Sequence, residues 1–204
     1  NINNHYTLSG DSQCVPSGGS GTSEHYTCNF SVYYLADPTD IGSINSADNW
    51  SCTMTATDLL VTSDPVTVTA EVNTLTAIST TSPLSYGSVN PGSNTASYNP
   101  TVTITNVGNN TIDLNIQGLD MCSDFPTCAG DVLSMTNQQF SLTTFTYGIG
   151  TILSGSNQLL DANLSKPTSN PSNQTQVIYW GINIPSAQTR GTYTGQNTIS
   201  AVAN

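Results

Sequence analysis

Apolar and polar residues alternate one by one along most of this chain, and no stretch repeats them at the 3.6-residue spacing of a helix. The alternation runs through 26–34, 49–57, 65–72, 84–89, 101–106, 111–116, 139–147, 176–184 and 194–202. Successive side chains of a strand point to opposite faces, so such a run buries one face and wets the other. Clusters of Gly, Pro, Asn, Asp and Ser separate the runs ("DPTD", "TSDP", "NPGSN", "VGNN", "SKPTSNPSNQ") and supply turn chemistry. Strong helix formers such as Lys, Glu and Arg are almost absent. The pattern predicts an all-β protein, most simply a β-sandwich.

The alternation also predicts which side chains face inward. Val102 and Ile104 share one face, and Ile112, Leu114 and Ile116 share another; the "NVGNN" between them reads as a hairpin turn that lets both line one core. Tyr26, Cys28, Phe30, Val32 and Tyr34 form a further stripe, matched by Trp50, Cys52, Met54 and Ala56. A soft boundary falls near "EVNTLTAIST". It divides an N-terminal β segment with disulfide-bearing hairpins, 1–72, from a sandwich domain, 73–204.

Charge is scarce and one-sided. Lys166 and Arg190 stand against thirteen acids, for a net charge of -11. A chain this acidic is repelled by phosphate backbones and by anionic bilayers, which excludes nucleic acid and anionic lipid as partners. Ser (26), Thr (31) and Asn (22) carry the solubility instead. Disorder does not follow, because 36% of the chain is hydrophobic and falls at strand spacing. Arg190 is the one ordinary site for a trypsin-like protease, since Pro167 shields Lys166. No run of eighteen apolar residues is present, so no membrane insertion is expected. "NINNHYTLSG" lacks a basic start and an apolar centre, and the expectation is that Asn1 is a mature end left by a removed leader.

Five cysteines point to an oxidising, extracellular setting. Cys122 and Cys128 flank the short turn "SDFPT", which favours a local disulfide. In "CVPSGGSGTSEHYTC" the Gly/Ser tip lies midway between Cys14 and Cys28, so a hairpin would bring them opposite each other, leaving Cys52 as a free core thiol. Spacing alone does not decide that connectivity. The tight Cys/His pairs of a zinc site are absent from the sequence.

Residues able to do chemistry are few. His5 and His25 are the only histidines, and "GGSGTS" misses the G-x-S-x-G elbow at its last residue, so no enzyme is expected. Asp37, Asp40 and Asp48 share one loop, and Asp120, Asp124 and Asp131 another. Clustered carboxylates in β loops are hard ligands of the kind Ca2+ takes, and the first loop is the candidate site; the alternative is that these acids form turns. Sequons stand at Asn29, Asn49, Asn109, Asn163 and Asn173, no more than the about six that this composition yields by chance. Asn109, in the expected hairpin turn, and Asn173, in a polar loop, are the glycosylation candidates. An internal Lys–Asn isopeptide bond, a staple of some pilins, would need Lys166, which lies beside a proline in a loop, so none is expected. Trp50, Trp180, Tyr33, Tyr34 and Tyr179 are candidates for stacking on glycans, although one of Tyr179 and Trp180 must point inward.

One long stretch resembles a known family. "SVNPGSNTASYNPTVTITNVGNNTIDLNI" is similar to the turn–strand–turn–strand pattern of TasA/camelysin-like extracellular fibre proteins, pilin-like β-sandwiches of archaea and bacteria. "YGSVNPG", "IYWGINIP" and "GTYTGQNTI" are similar to segments of secreted β proteins from the same sources, and the likeness covers 73–204. The resemblance implies a jelly-roll or Ig-like β-sandwich that forms a homopolymer by donor-strand complementation, one copy's extended segment completing its neighbour's sheet. The donor would lie in residues 1–10, where Ile2, Tyr6 and Leu8 fall at even positions, or in the C-terminal "NTISAVAN". Sheet edges usually carry blocking charges, and here these are nearly missing. The expected function is thus a subunit of an extracellular filament, pilus or surface sheath; the alternative is a secreted carbohydrate-binding or adhesive module, Ca2+-dependent through its loop acids.

Overall fold

Val102, Ile104, Ile112, Leu114 and Ile116 are all buried, as the alternation requires, but they reach the core from two different sheets. The structure, a computed structural model, describes residues 2–7, 14–21, 23–29, 31–57, 60–81 and 83–204. Among them the strands are β1 (Cys14–Ser20), β2 (Ser23–Cys28), β3 (Trp50–Met54), β4 (Val66–Ala70), β5 (Ile78–Thr80), β6 (Ser93–Asn94), β7 (Thr101–Asn106) and β8 (Ile112–Gly118). There follow β9 (Met121–Cys122), β10 (Val132–Leu133), β11 (Gln138–Ser141), β12 (Thr151–Ile152), β13 (Gln158–Leu164), β14 (Thr175–Ile184) and β15 (Asn197–Ala203). The protein is all-β.

The larger sheet runs β12-β11-β14-β7-β5, with β6 beside the far end of β14. The smaller runs β13-β8-β15. Every pairing is antiparallel. The two sheets face each other across one core, to which β7 gives Val102 and Ile104, β8 gives Ile112, Leu114 and Ile116, β11 gives Phe140, and β14 gives Ile178 and Trp180. Each such side chain contributes ~1.5–3 kcal/mol by leaving water.

Because β7 and β8 belong to opposite sheets, the link 107–111 is a crossover between layers, not the hairpin turn expected from "NVGNN". A crossover must pass the open side of a sandwich, where other chain segments can cover it. Here Leu75 and Ala77 do so: a Cβ added to Gly108 would stand 2.1 Å from the Leu75 carbonyl oxygen.

Two runs that alternate do not form ladders. Residues 84–89 send Leu84 and Tyr86 against the core, but Gly87 at φ +66 turns the chain out of a strand. The run 26–34 stays paired only to Cys28. Its stripe is no core: Tyr26 and Val32 are exposed, and Phe30 lies outside the described residues. The matching stripe of β3 is likewise open. Trp50, Cys52 and Met54 stand opposite Ala70, Val68 and Val66 on one face of a two-stranded ribbon, with Val66 59% and Val68 52% exposed.

Hydrogen bonds cross the boundary expected at residue 72. Thr74 Oγ1 donates to Asp40 Oδ1 (2.6 Å), Asn109 Nδ2 to Ala36 O (3.0 Å), and Asn3 Nδ2 to Pro167 O (3.1 Å). Leu35 and Ala36 are fully buried where this segment meets the sandwich.

Candidate functional site

The smaller sheet has two edges, and they differ. Along β13 the register slips between Leu160 and Leu164, so the strand bulges; Asn163, at φ 44, donates its N–H to Asp113 Oδ1 (2.8 Å), and Asp161 adds a charge. Bulges and charges both blunt an edge. Along β15 the register with β8 is unbroken from Asn197↔Gly118 to Ala203↔Ile112. No residue of "NTISAVA" is charged, Ile199 and Ala201 pack on the core, and Thr198 and Ser200 are exposed. Among the described residues no other strand pairs with its outer side. The larger sheet ends instead in β12 and β5, of two and three residues, too short to template much.

The two expected donor segments are both engaged with their own chain. "NTISAVAN" is not a loose tail, since its first seven residues form β15. Residues 2–7 make no ladder. They form a turn in which Tyr6 Oη donates to Ile2 O (2.5 Å) and accepts from Tyr33 N (3.2 Å). The Tyr6 ring lies 6.1 Å from that of Tyr33 and 5.5 Å from that of Trp50. Asp37 N donates to Asn3 O (2.6 Å). Leu8, the third expected anchor, lies outside the described residues.

The acids do not converge. Among the described residues no three His, Cys, Asp or Glu side chains gather in a way that would hold a metal ion. Asp37 faces Lys166, Asp40 accepts from Thr74, and Asp48 is exposed. The Thr74 bond holds the Asp40 carboxyl below its ordinary range. In the second loop Asp124 accepts from Ala129 N and Gly130 N (both 3.1 Å), and Asp120 from Met135 N (2.8 Å), so these carboxylates serve as loop caps.

Asn109 is not an exposed glycan acceptor. It is 2% exposed, its Oδ1 accepts from Leu75 N (2.6 Å), and its Nδ2 donates to Ala36 O and Asn73 O (both 3.0 Å). The crossover explains the burial: the amide closes the gap between segments 36 and 73–75. Asn173 is exposed, as are Asn29, Asn49 and Asn163.

Cys14–Cys28 and Cys122–Cys128 are disulfides, and Cys52 is a half-buried thiol on the ribbon's apolar face. His25 is exposed on β2, and exposed His5 meets the Thr7 hydroxyl (3.5 Å). Of the stacking candidates, Trp180 is wholly buried against Phe140, Trp50 is half-buried with its indole N–H on Asp37 O (2.8 Å), and Tyr33 is exposed. Nothing in the sequence singled out a shallow groove of about 450 Å3 between 84–91 and 189–193, with Met121, Leu133 and Ile182 in its lining and Tyr86, Tyr193 and Arg190 beside them. Tyr86 Oη donates to Gln138 Oε1 (2.9 Å), as does Asn197 Nδ2 (2.9 Å), and burial raises the Tyr86 phenol well above its ordinary value.

Lys166 and Asp37 form the one ion pair among the described residues. Burial lowers the Lys166 ammonium from 10.5 to about 8. No helix among the described residues is long and apolar enough to cross a membrane. No protein-family model matches the chain, and no curated protein matches it.

Proposed function

We propose that the protein is the structural subunit of an extracellular filament, pilus or sheath, assembled by addition of a strand from one copy to the sheet of the next. The observation that carries this reading is the outer edge of β15: seven residues in unbroken register, uncharged, backed by the core and paired with no strand among the described residues. Such an edge presents a row of N–H and C=O groups that a further strand satisfies, and most proteins block it. The other long edge, β13, carries a bulge and an acid. One open edge and one blocked edge give each copy a single acceptor, and a single acceptor produces a linear polymer.

The donor in this reading is the N-terminal segment with Ile2, Tyr6 and Leu8. At home its described part, residues 2–7, holds a turn, one backbone bond to Asp37 and side-chain contacts but no ladder, so moving to a neighbour trades a few local bonds for a run of backbone bonds. Two disulfides fit an oxidising exterior. Negative-stain microscopy tests the reading. Filaments should form from the intact chain and disappear both on deletion of 1–10 and in the double variant Thr198→Lys, Ser200→Lys. A monodisperse monomer at every concentration and salt level tried would sink it.

The groove beside Arg190 favours a second reading, a carbohydrate-binding or adhesive module with tyrosines at the rim. A glycan array read against Arg190→Ala and Tyr193→Ala tests it, with binding lost in both variants expected.

A further inference from the structure

We propose that Lys166 and Asp37 condense to an intramolecular amide, an isopeptide cross-link joining the segment before β3 to the loop after β13. Lys166 is the only lysine of the chain, and it is not spent on solubility: its side chain keeps 17% of its accessible surface, and that of Asp37 28%. The two are 129 positions apart in sequence, and Nζ donates directly to Oδ1. Both have buried apolar neighbours in sequence. Leu35, Ala36 and Pro38 on one side, and Leu164 and Pro167 on the other, are buried. Backbone bonds pin the carboxyl's residue in place, with Asp37 N on Asn3 O and Asp37 O accepting from Trp50 Nε1.

An ammonium carries three donors, and among the described residues Asp37 is the only acceptor found for this one. Partial burial shifts the ammonium toward its neutral form. That neutral amine is a nucleophile held beside the carboxyl group, and fixed proximity replaces the bimolecular encounter such a reaction otherwise needs. In the step, the Nζ lone pair adds to Cγ. Two protons shed by nitrogen join one carboxylate oxygen, the Cγ–O bond breaks, and water leaves. Starting from the NH3+ and COO− of the ion pair, the amide and one water account for every atom, with no redox change and no outside reagent. The product holds one N–H and one C=O where two charges stood.

This inference does not depend on assembly, and a monomer tests it equally well. The measurement is the intact mass of the full chain, unfolded and with disulfides reduced. It should fall one water short of the sequence mass, digestion should yield a branched peptide containing both Lys166 and Asp37, and an acylating reagent should find only the α-amino group. Asp37→Ala and Lys166→Arg should each restore the full mass. The full mass in the intact protein with Lys166 acylated after unfolding overturns the proposal, and so does a missing water without the branched peptide. No variant has to fold for the measurement on the natural chain to decide.

Discussion

Asn109 does at the scale of one residue what a whole turn would otherwise have to do. Its amide satisfies one N–H and two C=O groups from segments that no ladder serves. Asn109→Ala strands all three in a buried place, and the expected loss is about 2–4 kcal/mol of unfolding free energy, read as a drop in urea midpoint. Peptide mass spectrometry of protein from a glycosylating host should find Asn109 bare, whereas Asn173 is open to modification. The sequence could not convey this, because an Asn-x-Thr after glycine reads the same whether the turn faces water or another segment. Tyr86 supplies a pH effect whose sign is fixed by its burial. Its folded pKa is raised, so both states hold the proton below about pH 10 and the stability is fully present there. Above that value the unfolded chain releases the proton and the folded one keeps it, so stability falls as pH rises, at up to ~1.4 kcal/mol per unit. Lys166, lowered to about 8, acts in the opposite sense up to about pH 10.5, so the test is the comparison: between about pH 9 and about pH 11 the urea midpoint should fall further in the natural chain than in Tyr86→Phe. Burial raises Tyr147 in the same direction, so that variant keeps part of the slope.

Elements divide into those the core holds and those it does not. β7, β8 and β14 bury an apolar row each, and the period-two pattern made them legible because burial of one face is what writes that pattern. The same pattern over-promised in β3 and β4, where "WSCTM" and "VTVTA" alternate cleanly yet form a ribbon that is covered at Trp50, by Tyr6, and leaves Met54, Val66 and Val68 exposed. Alternation reports that a strand can bury one face, not that something is there to bury it. β13 was missed for the opposite reason, since the bulge at 160–164 and the acid in "QLLDANL" break the alternation that would have marked it. An isolated two-stranded ribbon is marginal in water, so hydrogen exchange should separate the two groups. In the monomer, amides of 50–54 and 66–70 should exchange fast while those of 102–106, 112–118 and 176–182 stay protected. Equal protection in both groups would mean that the ribbon is held by contacts other than those described. At the crossover, Gly108→Ala drives a methyl into the Leu75 carbonyl, and expression of folded protein should fail or the midpoint fall sharply.

For the whole molecule the governing quantity is charge, -11, which the proposed assembly has to overcome. Net charge of this size keeps copies apart and soluble. The assembly proposed above therefore needs surfaces from which the acids have been kept, and β15 is one of them. The repulsion acts over the Debye length, about 30 Å at 0.01 M salt and about 8 Å at 0.15 M, whereas backbone hydrogen bonds at a strand edge are barely screened. Raising salt across that range should thus shorten the lag of filament formation followed by light scattering, without changing the β15 edge that the lysine substitutions block. Acid should act in the same sense, because carboxylates take up protons as the pH falls toward about 4 and the net charge shrinks. A polymer held by ion pairs between copies would behave oppositely, dissolving in salt, and the composition leaves no room for one: Lys166 is taken by Asp37, and Arg190 is the only other base. Filaments that formed more slowly as salt rose would show that copies meet through charge after all, and the uncharged edge of β15 would lose its place as the joint.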